Sequence, residues 1–384
     1  MTSVPEATVG RLAEVVAAWR EATPGELLLH EAKRLLLNQL KAAAEASQQP
    51  TGQRLLAQAT SAAPEGARAR LWWSGAATTP QHAIAVHEHL LGLLDFGDTH
   101  LPTQGHFTAR LLPGLLARAE AGHHDGGRLL TALLVGLEVA IAVASEEQAG
   151  APRFEALALE LGAVAARCTL EGLDRGAAMQ ALGEASGGWR AMPGSATLAA
   201  LGNFDSLKGI ALHCRPLPVA ALAPVEAVLA LRAQAGRRTL QTLQLALSPQ
   251  AASRADDGLA DSVAAAWLMG QFTVAETSPA CRQHPATVDL RERIRWVVDE
   301  RLDGVQACVL RAAYVDGGQE ECRVEAFLGS PRGPLSDSQL SELFRGAASD
   351  VVRPRRAGEI LQAVWGLERA ADVGSLISLL RPAA

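Results

Sequence analysis

Between Asp95 and His106 the chain gathers two carboxylates (Asp95, Asp98), a hydroxyl (Thr99) and two imidazoles (His100, His106) into one short segment. In a protein with only 20% charged residues this is a local concentration of proton-transfer groups. Carboxylates and imidazoles are the side chains that exchange protons near neutral pH, so the segment suits general acid–base work. Carboxylates three apart with a threonine beside them fit a turn leaving a helix, where one side chain orients another. A helix end with solvated polar groups has the same composition, and these residues alone leave both readings open. Other groups carry less. His87 and His89 lie two apart on the preceding helix and face different ways, so at most one meets a pocket. Trp72, Trp73 and Trp189 are core residues by default.

The elements that must position this segment follow from apolar spacing. Pro80 opens a helix through Ile84, Val86 and Leu90 to Leu94, which puts Asp95 at its C-terminal end. A second helix is expected from about Arg110 to Ala121, then a turn rich in Gly and His at 122–127. The helix from Leu129 to Ala144 is apolar nearly all round, as a central buried helix is. Beyond Gly194 the texture changes, and Gly202, Gly209, Pro216, Pro218 and Pro224 mark a boundary. Thr239–Leu247 reads as a strand, whereas Ser262–Met269 and Leu290–Val298 read as helices. Val305–Val315 and Glu321–Leu328 form a hairpin around Asp316-Gly317-Gly318. Ser336 caps a helix starting near Gln339, and Glu359–Leu380 is helical again. The order is helical (1–205), mixed (206–335), then helical (336–384): mainly α with a smaller α/β domain.

Composition excludes several classes. The chain has 384 residues, 48% of them hydrophobic, which supports a large core. A net charge of −6 without a basic run gives no footprint for nucleic acid. No basic segment followed by an apolar run opens the chain, and no uninterrupted apolar stretch approaches the roughly 18 residues of a membrane span. A soluble cytoplasmic protein is expected. The five cysteines (Cys168, Cys214, Cys281, Cys308, Cys322) are widely spaced without a CxxC pair, so neither a disulfide frame nor a zinc site is read.

Five strings in order carry a family resemblance: Arg34-Leu-Leu-Leu-Asn38, Leu94-Asp-Phe-Gly-Asp-Thr-His100, Leu112-Pro-Gly-Leu-Leu-Ala-Arg-Ala-Glu120, Leu134-Val-Gly-Leu-Glu-Val-Ala140 and Gly333-Pro-Leu-Ser-Asp337. Together they resemble the MmgE/PrpD family, which includes 2-methylcitrate dehydratase, cis-aconitate decarboxylase and iminodisuccinate epimerase. The resemblance implies a large all-helical domain from both chain ends, an inserted α/β lid and a homodimer. It also implies lyase or isomerase chemistry on a small molecule: a carbanion or enolate is made or protonated beside a carboxylate, with no metal or organic cofactor. Carried over by motif, Asp95 and Thr99 take the acidic and hydroxyl positions, Asp98 is the second acid, and His106 moves the proton. His100 competes for part of that role, because the spacing to His106 is one residue longer than the family pattern.

The departures concern cations. Glu155 follows Arg153-Phe154 where the family has a histidine, and the usual glycine-region lysine has become Thr197 or a neighbour, with Lys208 displaced. In the family's run of Lys, Tyr, Pro, Arg and His, this chain carries His213, Arg215, Val219 and Leu222. A buried di- or tricarboxylate needs several cations. Arg190, His213 and Arg215 remain to hold one anionic group, which favours a non-citrate substrate in a specialised biosynthetic pathway. Set against this, His213 and Arg215 also read as a solvated loop between prolines, the reading favoured over a site role, and Cys214 is weak as a nucleophile. Three rival functions stand beside the repurposed enzyme: an inactive binding or scaffolding paralogue, a true 2-methylcitrate dehydratase-like enzyme, and a zinc hydrolase using His100, His106, His123 and His124. The last lacks any recognised ligand spacing.

Overall fold

The computed structural model describes residues 6–60, 65–145, 152–186, 201–236 and 238–382. Contacts divide the chain into two units, Met1–Ile210 with Ser336–Ala384, and Ala211–Leu335. In chain order the first unit contains α1 (Glu6–Ala18), α2 (Glu26–Gln48), α3 (Pro50–Ala59), the short pair β1 (Ala69–Arg70) and β2 (Ala77–Thr78), and α4 (Pro80–Leu91). It continues with β3 (Asp98–His100), α5 (Phe107–Ala121), α6 (Gly126–Ser145), α7 (Pro152–Glu171) and α8 (Arg175–Ser186). The second unit holds α9 (Val219–Ala235), β4 (Leu240–Leu247), α10 (Asp257–Met269), α11 (Pro285–Arg291), β5 (Ile294–Val298), β6 (Cys308–Tyr314) and β7 (Gln319–Val324). The chain then returns to the first unit with α12 (Asp337–Ala348) and α13 (Pro354–Trp365). The fold is mainly α with a smaller α/β part.

α6 is the axis of the first unit. Its run Gly126–Ser145 is the one described helix long and apolar enough to cross a membrane, but most of it is buried, packed by α2, α5 and α7. Small residues let α7 come unusually close. A Cβ on Gly136 would lie 2.6 Å from the Ala166 Cβ, and one on Gly162 would lie 2.7 Å from the Ala140 Cβ. The single acid of α6, Glu138, is buried, and its Oε1 accepts from the N–H groups of Gly202 at 3.0 Å and Phe204 at 2.8 Å. Burial pushes this carboxyl up, and the backbone donors hold it down.

In the second unit the sheet order is β5-β4-β6-β7. β5 runs parallel to β4, while β4–β6 and β6–β7 are antiparallel. Leu243, Leu245 and Leu247 stand opposite Ala312, Leu310 and Cys308 in register, and all six are buried. That face is the core layer of the unit, and α9 packs on both β6 and β7.

Two expectations are corrected. The segment Leu290–Val298 is not a helix: α11 ends at Arg291 and Ile294–Val298 is a strand. A short apolar run fits both periods, and pairing with β4 decides for the strand. The first unit is also not wholly helical, since it contains β1–β2 and an extended segment at Asp98–His100.

Candidate active site

α4 starts with the Thr79 hydroxyl accepting from His82 N–H and stops at Leu91. Residues 92–97 then lead into β3, whose side chains Asp98, Thr99 and His100 are all buried. Burying polar groups is favourable only when hydrogen bonds replace water. The replacements come largely from α2. In Arg34-Leu-Leu-Leu-Asn-Gln-Leu-Lys41 the polar residues 34, 38 and 41 recur at helical spacing and share a face, with Gln39 beside them. All four are buried. Asn38 Nδ2 donates to the Gly97 carbonyl at 2.7 Å, and Gln39 Nε2 donates to Asp98 Oδ1 at 2.5 Å. Lys41 Nζ donates to Asn38 Oδ1 at 2.8 Å and lies 3.7 Å from the centre of the Phe96 ring. At the other end of the stripe Arg34 pairs with Asp337, the first-turn acid of α12, and His30 Nε2 is 2.9 Å from that same carboxylate.

The second Asp98 oxygen accepts from the Thr108 hydroxyl, in the first turn of α5, at 2.5 Å. Burial pushes the Asp98 carboxyl up, opposed by the Thr108 bond, the attraction of His106 when that ring is protonated, and the Gln39 bond. We predict that Asp98→Ala, which strands two buried donors, destabilises the protein by about 2–5 kcal/mol. Asp98→Asn, whose amide can still serve both neighbours, is expected to cost less than half of that. Urea unfolding of the two variants checks this, and equal losses would refute it.

After His100 the chain doubles back. His100 N–H donates to the Gly105 carbonyl at 2.9 Å, and Gln104 N–H to the His100 carbonyl at 2.6 Å. Gly105 is required there, because a Cβ would lie 2.4 Å from the Phe107 ring. The turn returns His106 to β3, with Nδ1 2.7 Å from the Asp98 carbonyl oxygen and 3.3 Å from Thr99 Oγ1. A carbonyl can only accept, so Nδ1 carries a proton, and in the neutral ring the lone pair is on Nε2. The ring is exposed at the start of α5. An imidazole held in one orientation through Nδ1 at an exposed position is suited to proton exchange with a ligand.

His100 is set up differently. Its Nδ1 accepts from the Thr103 hydroxyl at 2.7 Å and from Thr103 N–H at 3.4 Å, and the ring also bonds the Ser206 backbone. Gly209 closes over it, since a Cβ there would lie 2.6 Å from Nε2. Both ring nitrogens are engaged, and burial lowers the imidazole to about 4. His87 is similar: its Nε2 accepts from Trp72 N–H at 2.9 Å, its ring stacks on that indole at 3.8 Å, and burial lowers it to about 3. An unfolded histidine titrates near pH 6.5. Between that value and the folded ones, the unfolded chain holds the extra protons. The stability from these neutral rings is therefore complete above about pH 6.5 and declines as pH falls, by up to about 1.4 kcal/mol per pH unit for each ring. Asp98 and Glu138, pushed up by burial, act in the opposite sense. The prediction is therefore made on a difference: the stability gap between wild type and His87→Gln narrows from about pH 6.5 to about pH 4. A flat gap would contradict it.

The structure thus brings Asp98, Thr99 and His106 together, with His100 on the same strand. Asp95 stands exposed on the loop before them. His213 is fully buried, which overturns the solvated-loop reading for it. Arg215 is half-buried, and its Nη1 donates to Cys214 Sγ at 3.3 Å. Both belong to the second unit, and Arg190 lies outside the described residues, as do Trp189 and Thr197. Glu155 is an exposed first-turn acid of α7, and Trp72 and Trp73 are buried core. His123 is exposed and bonded to Asp372 at 2.8 Å. Among the described residues no three His, Cys, Asp or Glu side chains gather as metal ligands. Sequence reading missed Asn38, Gln39, Lys41 and Thr108. The signal was present as polar residues at positions 34, 38 and 41, which fall at helical spacing in an amphipathic helix.

A helical unit formed by residues 1–210 and 336–384, an α/β unit between them in sequence, and a histidine oriented through Nδ1 define a two-unit, mainly α protein with a group able to exchange protons. Residues 10–197 match the MmgE/PrpD N-terminal domain and residues 219–368 the MmgE/PrpD C-terminal domain. The chain belongs to the MmgE/PrpD family. A comparison with curated proteins gave no match.

Proposed function

We propose that this protein moves a proton at a carbon next to a carbonyl or carboxylate, with His106 Nε2 as the atom that takes and returns it. The observation that carries the reading is the bond from His106 Nδ1–H to the Asp98 carbonyl, which orients the ring and, in the neutral form, leaves the lone pair on Nε2. Asp98 is a positioning residue, because its carboxylate locks β3 to α2 and α5. Thr99 Oγ1 lines the inner side of the imidazole. Asp95, exposed on the same loop, is assigned to the substrate side as the second proton-handling group. His213, Arg215 and Arg190 are assigned to one anionic group of the substrate. The small number of such cations supports a substrate less charged than a citrate, in a specialised pathway.

Dehydration, decarboxylation, isomerisation and ring closure beside a carbonyl share this protonic step. It is tested in D2O with a panel of hydroxy- and unsaturated mono- and dicarboxylates, followed by proton NMR. The wild type is expected to exchange the hydrogen next to the carbonyl of its substrate class, and His106→Asn to lose that exchange. Exchange by the variant at the wild-type rate would refute the assignment.

A further inference from the structure

At the far end of α5 from His106, a cavity of about 560 Å³ opens within the first unit. α5 has 15 residues, so its two ends lie roughly 22 Å apart. The polar groups of the cavity come from β1, the end of α5 and residue 372. Strand alternation puts Arg68 and Arg70 on one face of β1, whose ladder with β2 starts at the bond from Arg68 N–H to the Thr78 carbonyl. Arg70 is anchored: its backbone N–H and its Nη1 donate to the two oxygens of buried Glu120, at 2.8 and 2.6 Å. Asp372 accepts from His123 Nδ1 at 2.8 Å and from Gly374 N–H at 2.7 Å, and these bonds, with the Arg70 charge nearby, hold its carboxyl below the usual range. Both carboxylates are thus committed to internal donors. The donors are not used up. Arg70 gives Glu120 one of its guanidinium nitrogens, His123 keeps Nε2, and among the described residues the exposed Arg68 side chain has no hydrogen bond or ion pair. His123 occupies the left-handed region at φ 53°, where glycine is the unstrained residue, so its imidazole is held at the cavity against a backbone preference.

We propose that this cavity is a second small-molecule site, taking a short-chain monocarboxylate at the end of α5 remote from His106. Geometry and charge set the head group. A flat carboxylate matches a guanidinium fork, here that of Arg68, with the remaining edge of Arg70 and His123 Nε2 as further donors. Two guanidiniums against two carboxylates leave the cavity neutral, or singly positive when His123 is protonated. One negative charge is then compensated, whereas the second charge of a phosphate monoester would face Glu120 and Asp372 unopposed. An ammonium head is disfavoured because both acids already have their donors. The rest of the wall sets the body of the ligand. Four alanines, a glycine and a serine leave room and offer methyl groups, and the volume lies within the range of small-molecule sites. None of these groups belongs to residues 94–108.

Three probes with one body and different heads test this by isothermal titration calorimetry on the full chain: hexanoate, hexyl phosphate and hexylamine. Hexanoate is expected to bind with a dissociation constant of about 1 mM or below, and roughly tenfold or more tightly than the other two. Arg68→Gln changes an exposed side chain, so its circular dichroism should match the wild type while hexanoate binding weakens by about tenfold or more. Ala121→Leu fills part of the cavity from the end of α5 and should weaken hexanoate as well. His123→Gly suits the left-handed backbone, so this variant should stay folded while losing affinity severalfold. Arg68→Gln and Ala121→Leu should leave the proton exchange assigned to His106 unchanged, which separates the fate of this site from that of the other. Hexanoate affinity indifferent to Arg68→Gln would place the ligand elsewhere and overturn the proposal. Tighter binding of hexyl phosphate or hexylamine, or no binding of hexanoate at several millimolar, would do the same.

Discussion

His106→Asn is expected to lower turnover by about 10²–10⁴-fold, the usual contribution of a positioned general base, while leaving the protein folded. That is about 3–5 kcal/mol of barrier. Asparagine is chosen because its Nδ2 stands near the position of the imidazole Nδ1 and can go on donating to the Asp98 carbonyl. Only the basic Nε2 is lost. Asparagine is also a favoured residue at the start of a helix, the position His106 occupies before α5, so the melting temperature should stay within a few degrees. KM should change little, because the residue acts on the proton and not on the substrate's anionic group. A full wild-type rate would remove His106 from the mechanism. A large fall in melting temperature would mean that the ring supports the fold instead.

Gly136→Val is expected to destabilise the protein by more than about 3 kcal/mol, or to prevent soluble expression, because the added carbon has no space to enter. Its Cβ would lie 2.6 Å from the Ala166 Cβ and 3.0 Å from the Gly162 carbonyl oxygen, which is backbone and cannot swing aside. α6 and α7 would have to separate, opening voids along two buried helices. Gly183→Ala in α8 is the matched control, since nothing lies within 4 Å of its added carbon. There the lower helix propensity of glycine is the main term, and the change should be neutral or stabilising by up to about 1 kcal/mol. Chemical unfolding of both variants measures the contrast. Similar midpoints would show that the close approach of α6 and α7 carries no energetic weight.

Much of this organisation was legible because helices announce themselves locally. The central position of α6 followed from its apolar composition, and the hairpin of β6 and β7 from alternation around Asp316-Gly317-Gly318. What the strings near residues 34, 97 and 337 do together was not legible. In space Arg34 reaches Asp337, 303 residues away, and Asn38 reaches Gly97, 59 residues away, so α2 joins segments that are far apart in sequence. Local periodicity contains no information about such convergence. The same gap blurred the two acids of the loop. Asp95 and Asp98 look alike in sequence, and only the presence of Gln39 and Thr108 makes Asp98 the buried one. β5 was misread because five apolar-rich residues satisfy either period until a neighbouring strand claims them.

The buried polar stripe of α2 has an evolutionary consequence. Every partner that holds Asp98 lies inside the core, so a change at Asp98 strands both Gln39 and Thr108, and a change at either of those strands one Asp98 oxygen; each must be accompanied by compensation. Asp95 is exposed on the same loop, where a substituted side chain can still reach water. The two halves of the segment should therefore drift at different speeds: the part that aims the imidazole is inherited as a block, while the part facing the ligand is free to be retuned. A saturation mutagenesis scan of residues 94–108 should show intolerance at 98 and 108 alongside permissiveness at 95, even under selection for folding alone.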